Sequence, residues 1–269
     1  MKLMKALLLF LGSLCFFTSC SSKFQTVEDI QKKGKIIVTT NAEFAPFEYK
    51  EGTEFLGIDM DFIKSYAAYL KVDITIQDID FDAALLSVSA NKSDLAIAGI
   101  TKNAKREKTL SFSDSYYTAS QVVIVSSTSS LTSLSTQEEI LNALSSSKAK
   151  IGCQRGTTGQ YYIEGDKDWE FEGIKDTTCI TYDTGALAVT ALANGQIDAV
   201  IIDEAPAKLY CNKISGVEVI DVVLTEEEYA IAVAKGNDSL VASLNAFIAQ
   251  CKQDGSFEAI INKYYGQTA

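Results

Sequence analysis

From Lys35 onward the chain alternates short apolar runs with stretches of helical periodicity. Ile36-Ile37-Val38 is a continuous apolar run, the type buried on both faces of a parallel sheet. Residues 57–71 place Ile58, Phe62, Tyr66, Tyr69 and Leu70 near helical spacing, and residues 72–76 alternate like a strand. Asp82 is positioned to cap a helix through Ser89, and residues 94–100 and 121–125 read as strands. A capping box over residues 135–138 opens a helix to Leu144. A strand at 150–153 runs into the turn Gly156-Thr157-Thr158-Gly159. A helix capped by Asp183 runs through Ala193 to a stop at Gly195. Strands follow at 198–202 and 229–233. A long helix at 237–253 is stopped by Gly255, and a final helix covers 256–265. This alternation argues for α/β architecture with mainly parallel sheets. The polar run 126–135 marks a boundary between two lobes, because ligand-like motifs occur in both halves.

The first residues read as an address. Lys2 and Lys5 precede an apolar run over 6–17, too short for the ~20 residues that span a bilayer. It ends in Phe17-Thr18-Ser19-Cys20, the layout of a signal peptide followed by a lipidated cysteine. Residues 1–19 are the expected signal and 20–34 the lipidated N-terminus and tether. The expected location is outside the cytoplasm, on the periplasmic or extracellular face of the membrane.

Composition narrows the chemistry. No histidine occurs, which excludes Ser-His-Asp and Cys-His nucleophile systems and histidine-ligated metals. The formal charge is −11, and −13 once Lys2 and Lys5 are removed. No basic field exists for nucleic acid, and membrane attachment falls to acyl chains rather than headgroup attraction. Cys153, Cys179, Cys211 and Cys251 show no CxxC spacing, so neither a metal centre nor a redox motif is indicated. Export permits disulfides, and free buried thiols stand equally open. No cofactor or metal is called for.

Four segments sit at carboxyl ends of predicted strands, where open α/β sheets bind ligands. They are Asn41 to Tyr49; Asp80-Phe81-Asp82; Ala98-Gly99-Ile100-Thr101 with Arg106; and Gln154 to Gly159 with Asp203 at a later strand end. In order, the stretches NAEFAPFEY, GIDMDF, DFDAALLSVSANKSDLAIAGITKNAKREKTLSFSDSYY, GTTGQ, ALANGQIDAVIID and EEYAIAVAKGNDSLVASLNAF ending in INKYYG resemble the bacterial extracellular solute-binding proteins of family 3, the polar amino acid receptors of ABC importers. The resemblance spans residues 35–266. It implies the two-lobed periplasmic-binding-protein-like fold (type II), with the ligand cleft between lobes joined by two hinge strands. One lobe would comprise 35–120 plus 230–269 and the other 121–229.

It also implies a binding site at Phe44, Phe81, Thr101, Arg106, Gln154, Thr158 and Asp203. The chemistry is consistent. Arg106 can grip a ligand carboxylate bidentately, with Thr101 and the N–H groups of Thr157 and Thr158 beside it. Asp203 can take the ammonium, with a carbonyl from Ala98 or Gly99. Phe44 and Phe81 suit a flat or cationic side chain. Glu43 is a candidate for a cationic tail, whereas Glu48, Asp59 and Asp61 read as structural or surface positions. Asn41 stands where the family often carries aspartate, and neutral Gln154 disfavours an acidic ligand. The expected function is a monomeric extracytoplasmic lipoprotein delivering an arginine- or lysine-like amino acid to a membrane permease. The alternatives are a glutamine or histidine receptor, a fold-sharing dehydratase or lyase, and a surface lipoprotein without transport.

Overall fold

The computed structural model describes residues 24–265; the predicted signal and Cys20 lie outside the described residues. Helix α1 (Val27–Lys33) opens on a capping box between Thr26 and Asp29 and ends at Gly34 in the left-handed region, φ 71°. It buries Ile30, so a stretch expected to be tether carries a docked helix. Strand β1 (Lys35–Thr40) leads to a small antiparallel sheet of β2 (Glu43–Phe44), β3 (Glu48–Glu51) and β4 (Glu54–Leu56). Helix α2 (Ile58–Leu70), β5 (Asp73–Asp78), α3 (Phe81–Ser89), β6 (Leu95–Ala96), α4 (Ala104–Glu107) and β7 (Leu110–Phe112) follow.

The chain then crosses along β8 (Tyr117–Ser126) to α5 (Gln137–Ser146), β9 (Lys150–Gln154), α6 (Thr158–Glu164), β10 (Thr178–Tyr182), α7 (Gly185–Ala193), β11 (Ala199–Asp203) and α8 (Glu204–Lys213). It returns along the long β12 (Val217–Tyr229) to β13 (Ala232–Ala234), α9 (Asp238–Asp254) and α10 (Ser256–Tyr265).

Two five-stranded sheets result, ordered β5-β1-β6-β13-β7 and β10-β9-β11-β8-β12. Each is parallel over its first three strands, with β1 flanked by β5 and β6 and β9 flanked by β10 and β11, and antiparallel over the rest, so the sheets are mixed rather than mainly parallel. The crossing strands pair antiparallel over Tyr117–Gln121 against Thr225–Tyr229, beyond a register shift between Ile220 and Thr225. Helices cover the sheets and supply the core. Phe62 of α2 packs between Phe247 and Phe257, ring centroids 5.1 and 4.7 Å away. Burying each such ring contributes about 1.5–3 kcal/mol.

Several predicted boundaries move for local reasons. The strand expected over 94–100 is only Leu95–Ala96. Gly99 turns the chain at φ 52°, and its N–H goes to Asp59 Oδ2 rather than to a strand. The 229–233 strand divides, with β12 ending at Tyr229 and β13 starting at Ala232. Asp82 lies inside α3, after the cap position Asp80. Thr184, not Asp183, caps α7, and the box opening α5 is Thr136 with Glu139. The thiols of Cys153 and Cys179 are free and 3.5 Å apart across β9 and β10. Among the described residues no helix is long and apolar enough to cross a membrane.

Candidate functional site

The strand ends of both sheets meet around one cavity with about 290 Å³ of space not filled by atoms, part of it open to solvent. From the first lobe, Phe44, Phe81, Ala98, Gly99, Thr101 and Arg106 line it; from the second come Gln154, Thr157, Thr158 and Asp203. Ten of the eleven ligand-binding candidates are therefore in one place. The exception is Glu43. Its side chain is exposed, and its backbone carbonyl accepts from the Tyr210 hydroxyl at 3.0 Å, outside the cavity lining. Two residues not proposed as ligand contacts, Asn41 and Glu48, also line the cavity.

Arg106 is set by the cap of its own short helix: Asn103 Oδ1 accepts from the Arg106 N–H at 2.9 Å. Its guanidinium donates to the Thr101 carbonyl at 2.5 Å and, across the cleft, to the Gly156 carbonyl at 3.1 Å. Its Cζ lies 5.2 Å from the Phe81 ring centroid, and its buried Nε has no partner. Burial lowers its pKa, yet a guanidinium remains charged at neutral pH. A buried cation whose partners are neutral carbonyls, with one N–H unmet, is short of an anion.

Opposite it stands the N-terminus of α6. Thr157 is its N-cap and Thr158 its first residue, so backbone N–H groups of the first turn lack intrahelical acceptors. The threonine hydroxyls are committed elsewhere. Thr101 Oγ1 and Thr158 Oγ1 both donate to Glu227 Oε2, at 2.6 and 2.8 Å. Thr101 lines the cavity while its hydroxyl donates to Glu227. Glu227 sits on the crossing strand β12, a position that sequence periodicity alone marks only as one of three consecutive glutamates.

Asp203 ends β11, and its Oδ1 accepts from the Tyr229 hydroxyl at 2.6 Å. Burial, then the nearby Glu227 charge, pushes its pKa up to about 7, against the opposing Tyr229 hydrogen bond. A carboxyl so placed is relieved by a cation entering the cleft. Asn41 and Gln154 meet across the cleft, Gln154 Nε2 donating to Asn41 Oδ1 at 2.8 Å. The lobes are thus closed on the cavity, and its rim carries Lys105–Asp166 and Lys108–Asp168 at 2.7 and 2.6 Å. Among the described residues there is no group of three or more acidic or cysteine side chains arranged to hold a metal.

The sequence reading placed Glu48 among structural or surface positions, whereas it is buried and lines the cavity. In β3 only Glu48 is buried while Lys50 and Glu51 are exposed. Its place between two aromatics directly after a strand-end loop was the available signal.

Residues 36–267 match the model of the bacterial extracellular solute-binding proteins, family 3. The arginine-binding extracellular protein ArtP of Bacillus subtilis is 28% identical, covering 97% of this chain and 98% of its own. The histidine-binding periplasmic protein of Salmonella typhimurium is 27% identical, with 97% of each chain covered. Among solved structures, the amino acid ABC transporter substrate-binding protein AbpA of Streptococcus pneumoniae, bound to L-arginine, superposes with a TM-score of 0.78. It is 29% identical and covers 89% of this chain and 98% of its own.

Proposed function

The chain belongs to the bacterial extracellular solute-binding proteins of family 3, and from that membership and the closed cleft we propose that it captures a cationic amino acid of the arginine or lysine type and presents it to a membrane permease of an ABC importer. The relatives described above are binding proteins for amino acids. The single observation that carries the amino acid reading is the charge layout of the cavity, and the choice of a cationic side chain is supported by the arginine-binding relatives. Arg106 and the α6 N-terminus face a carboxylate, Asp203 faces an ammonium, and the Phe44 and Phe81 rings flank the remaining space.

Arg106 belongs to the first lobe and α6 and Asp203 to the second, so one zwitterion satisfies both lobes only when they are closed. Ligand affinity then stabilises the closed state by its difference in contacts between open and closed forms. Such a clamp spends its interactions on the bound ground state, which serves retention rather than turnover. The proposal includes lobes of 35–120 plus 230–269 and of 121–229, supported by the two sheets and by crossings at β8 and β12. It also includes a lipid anchor at Cys20 and a monomeric state.

The test is a thermal-melt screen of residues 24–269 against the standard amino acids and common polyamines, after unfolding, dialysis and refolding to strip carried ligand. A ligand at about 100 times its Kd adds about 2.7 kcal/mol and raises the midpoint by several degrees. A rise with arginine or lysine supports the proposal. Stabilisation by none of the compounds contradicts it. In Arg106→Ala the rise is expected to vanish, because a carboxylate buried without its partner costs on the order of 2–5 kcal/mol.

A further inference from the structure

The fold brings together two thiols that lie 26 positions apart in sequence. Cys153 is on β9 and Cys179 on β10, adjacent parallel strands in which Cys153 pairs with Thr181 and Cys179 with Ile151. Each cysteine is thus two residues from the other's ladder partner, and the period of two along a strand puts both side chains on one face of the sheet. Their Sγ atoms are 3.5 Å apart. The two differ in access. Cys153 is fully buried in the core of the second lobe, in the cluster that holds Ile140, Ile151 and Ile163. Cys179 is half-buried, and β10 is the edge strand of its sheet. The contact with Cys179, then burial, raises the pKa of the Cys153 thiol and favours its neutral form. Cys179 is therefore the sulfur that a reagent from solvent reaches first, and Cys153 is the second thiol waiting behind it. A covalent bridge needs about 2.05 Å between sulfurs, so its formation draws Cys153 toward the edge strand.

The zwitterion clamp makes no use of this pair, which lies directly behind it. Gln154, the next residue, lines the cavity, and its carbonyl accepts from the Thr157 hydroxyl at 2.8 Å. The Arg155 N–H donates to the Tyr182 carbonyl at 2.9 Å, joining the ends of the same two strands. The chain between the cysteines carries α6, whose start faces the cleft. The chain belongs to an extracellular family, and the space outside the cytoplasm holds disulfides that exchange with thiols. We propose that Cys153 and Cys179 are a disulfide-forming site, oxidised by exchange with a disulfide-bearing partner, RSSR, outside the cytoplasm. Cys179 gives up its proton and its thiolate attacks one sulfur of RSSR; the S–S bond of the partner breaks, a mixed disulfide forms, and the released thiolate takes up a proton as RSH. Cys153 then gives up its proton and attacks the Cys179 sulfur, and the second thiolate leaves and is protonated. The protein dithiol is oxidised to one disulfide and RSSR is reduced to two RSH. The bridge closes a covalent loop around α6 and ties the edge strand to the strand end from which Gln154, Thr157 and Thr158 reach the cavity.

The test maps the thiols of the full chain, reduced and then equilibrated in its folded state with oxidised glutathione. Remaining thiols are blocked by alkylation in denaturant, and the protein is digested with trypsin without reduction. Cleavage after Lys150, Arg155, Lys175 and Lys208 puts Cys153 and Cys179 on separate peptides, 151–155 and 176–208, with Cys211 and Cys251 on others. Mass spectrometry is expected to find peptides 151–155 and 176–208 cross-linked in most molecules, and the cross-link is expected to be lost on treatment with dithiothreitol. In Cys153→Ser no second thiol can displace the glutathione, so the mixed disulfide is expected to persist on Cys179, whereas the wild type resolves it. Alkylation of both Cys153 and Cys179 in the oxidant-treated wild type overturns the proposal. So does glutathione retained on wild-type Cys179 without the cross-link, or a bridge from either cysteine to Cys211 or Cys251. Should Cys153→Ser not fold, the cross-linked peptides of the wild type decide alone.

Discussion

Asp203 shows how one side chain couples the empty site to stability. In the unfolded chain its pKa is near the ordinary 3.8, whereas burial and the Glu227 charge raise it to about 7 in the fold. Between these values the folded protein holds a proton that the unfolded chain has released. The contribution of Asp203 to stability is therefore full below about pH 4 and is lost as the pH rises through about 7. In Asp203→Asn the empty protein should lose less stability than the wild type between these limits, measured by urea unfolding at several pH values. An unchanged slope would show that Asp203 is not the group responsible. The physical counterpart is function: the energy forfeited by an ionised, uncompensated Asp203 is regained when an ammonium reaches it.

At the scale of elements, the site depends on how closely α6 approaches the second sheet. A Cβ built at Gly159 would lie 2.7 Å from the Ile201 carbonyl oxygen, a backbone atom of β11 that cannot swing aside. Gly159→Ala should push the start of α6 outward, lower stability by about 1–3 kcal/mol and weaken ligand binding together with it. Unaltered melting and affinity would mean that the helix tolerates the shift. Periodicity and caps made most of these elements readable. The helices over 58–70 and 238–254 carry long apolar stripes, β1 and β11 contain unbroken apolar runs, and β5 alternates. What escaped was set by tertiary contacts. The 94–100 run is apolar enough for a strand, but Asp59, distant in sequence, captures the Gly99 N–H and bends it into the cleft. Glu48 and Glu227 carry the same residue type as their exposed neighbours, and only the fold distinguishes the buried member. The ordered set of motifs located the cleft, whereas the partners behind it, Glu227 and Asp59, belong to no local pattern.

For the whole molecule, closure is held by contacts of unequal weight. The Lys105–Asp166 and Lys108–Asp168 pairs join the lobes at the rim, with Lys105 Nζ also 3.9 Å from the Tyr161 ring centroid. They are partly exposed, so each is worth about 0.2–1 kcal/mol. A Lys105→Ala/Lys108→Ala protein should bind roughly twofold to thirtyfold more weakly, mainly through faster release, with the difference shrinking in about 1 M salt. A larger loss that persists in salt would place the rim, not the cleft, in control of closure.

The central claim is that two lobes close on a zwitterion, with Arg106 and the α6 N-terminus sharing its carboxylate. It is tested most directly by calorimetric titration of the refolded wild type with L-arginine and with agmatine, which keeps the guanidinium and the amine but lacks the carboxylate. Arginine should bind, and agmatine should bind at least about thirtyfold more weakly, because Arg106 would be closed over without its anion. Equal binding of the two would contradict the clamp.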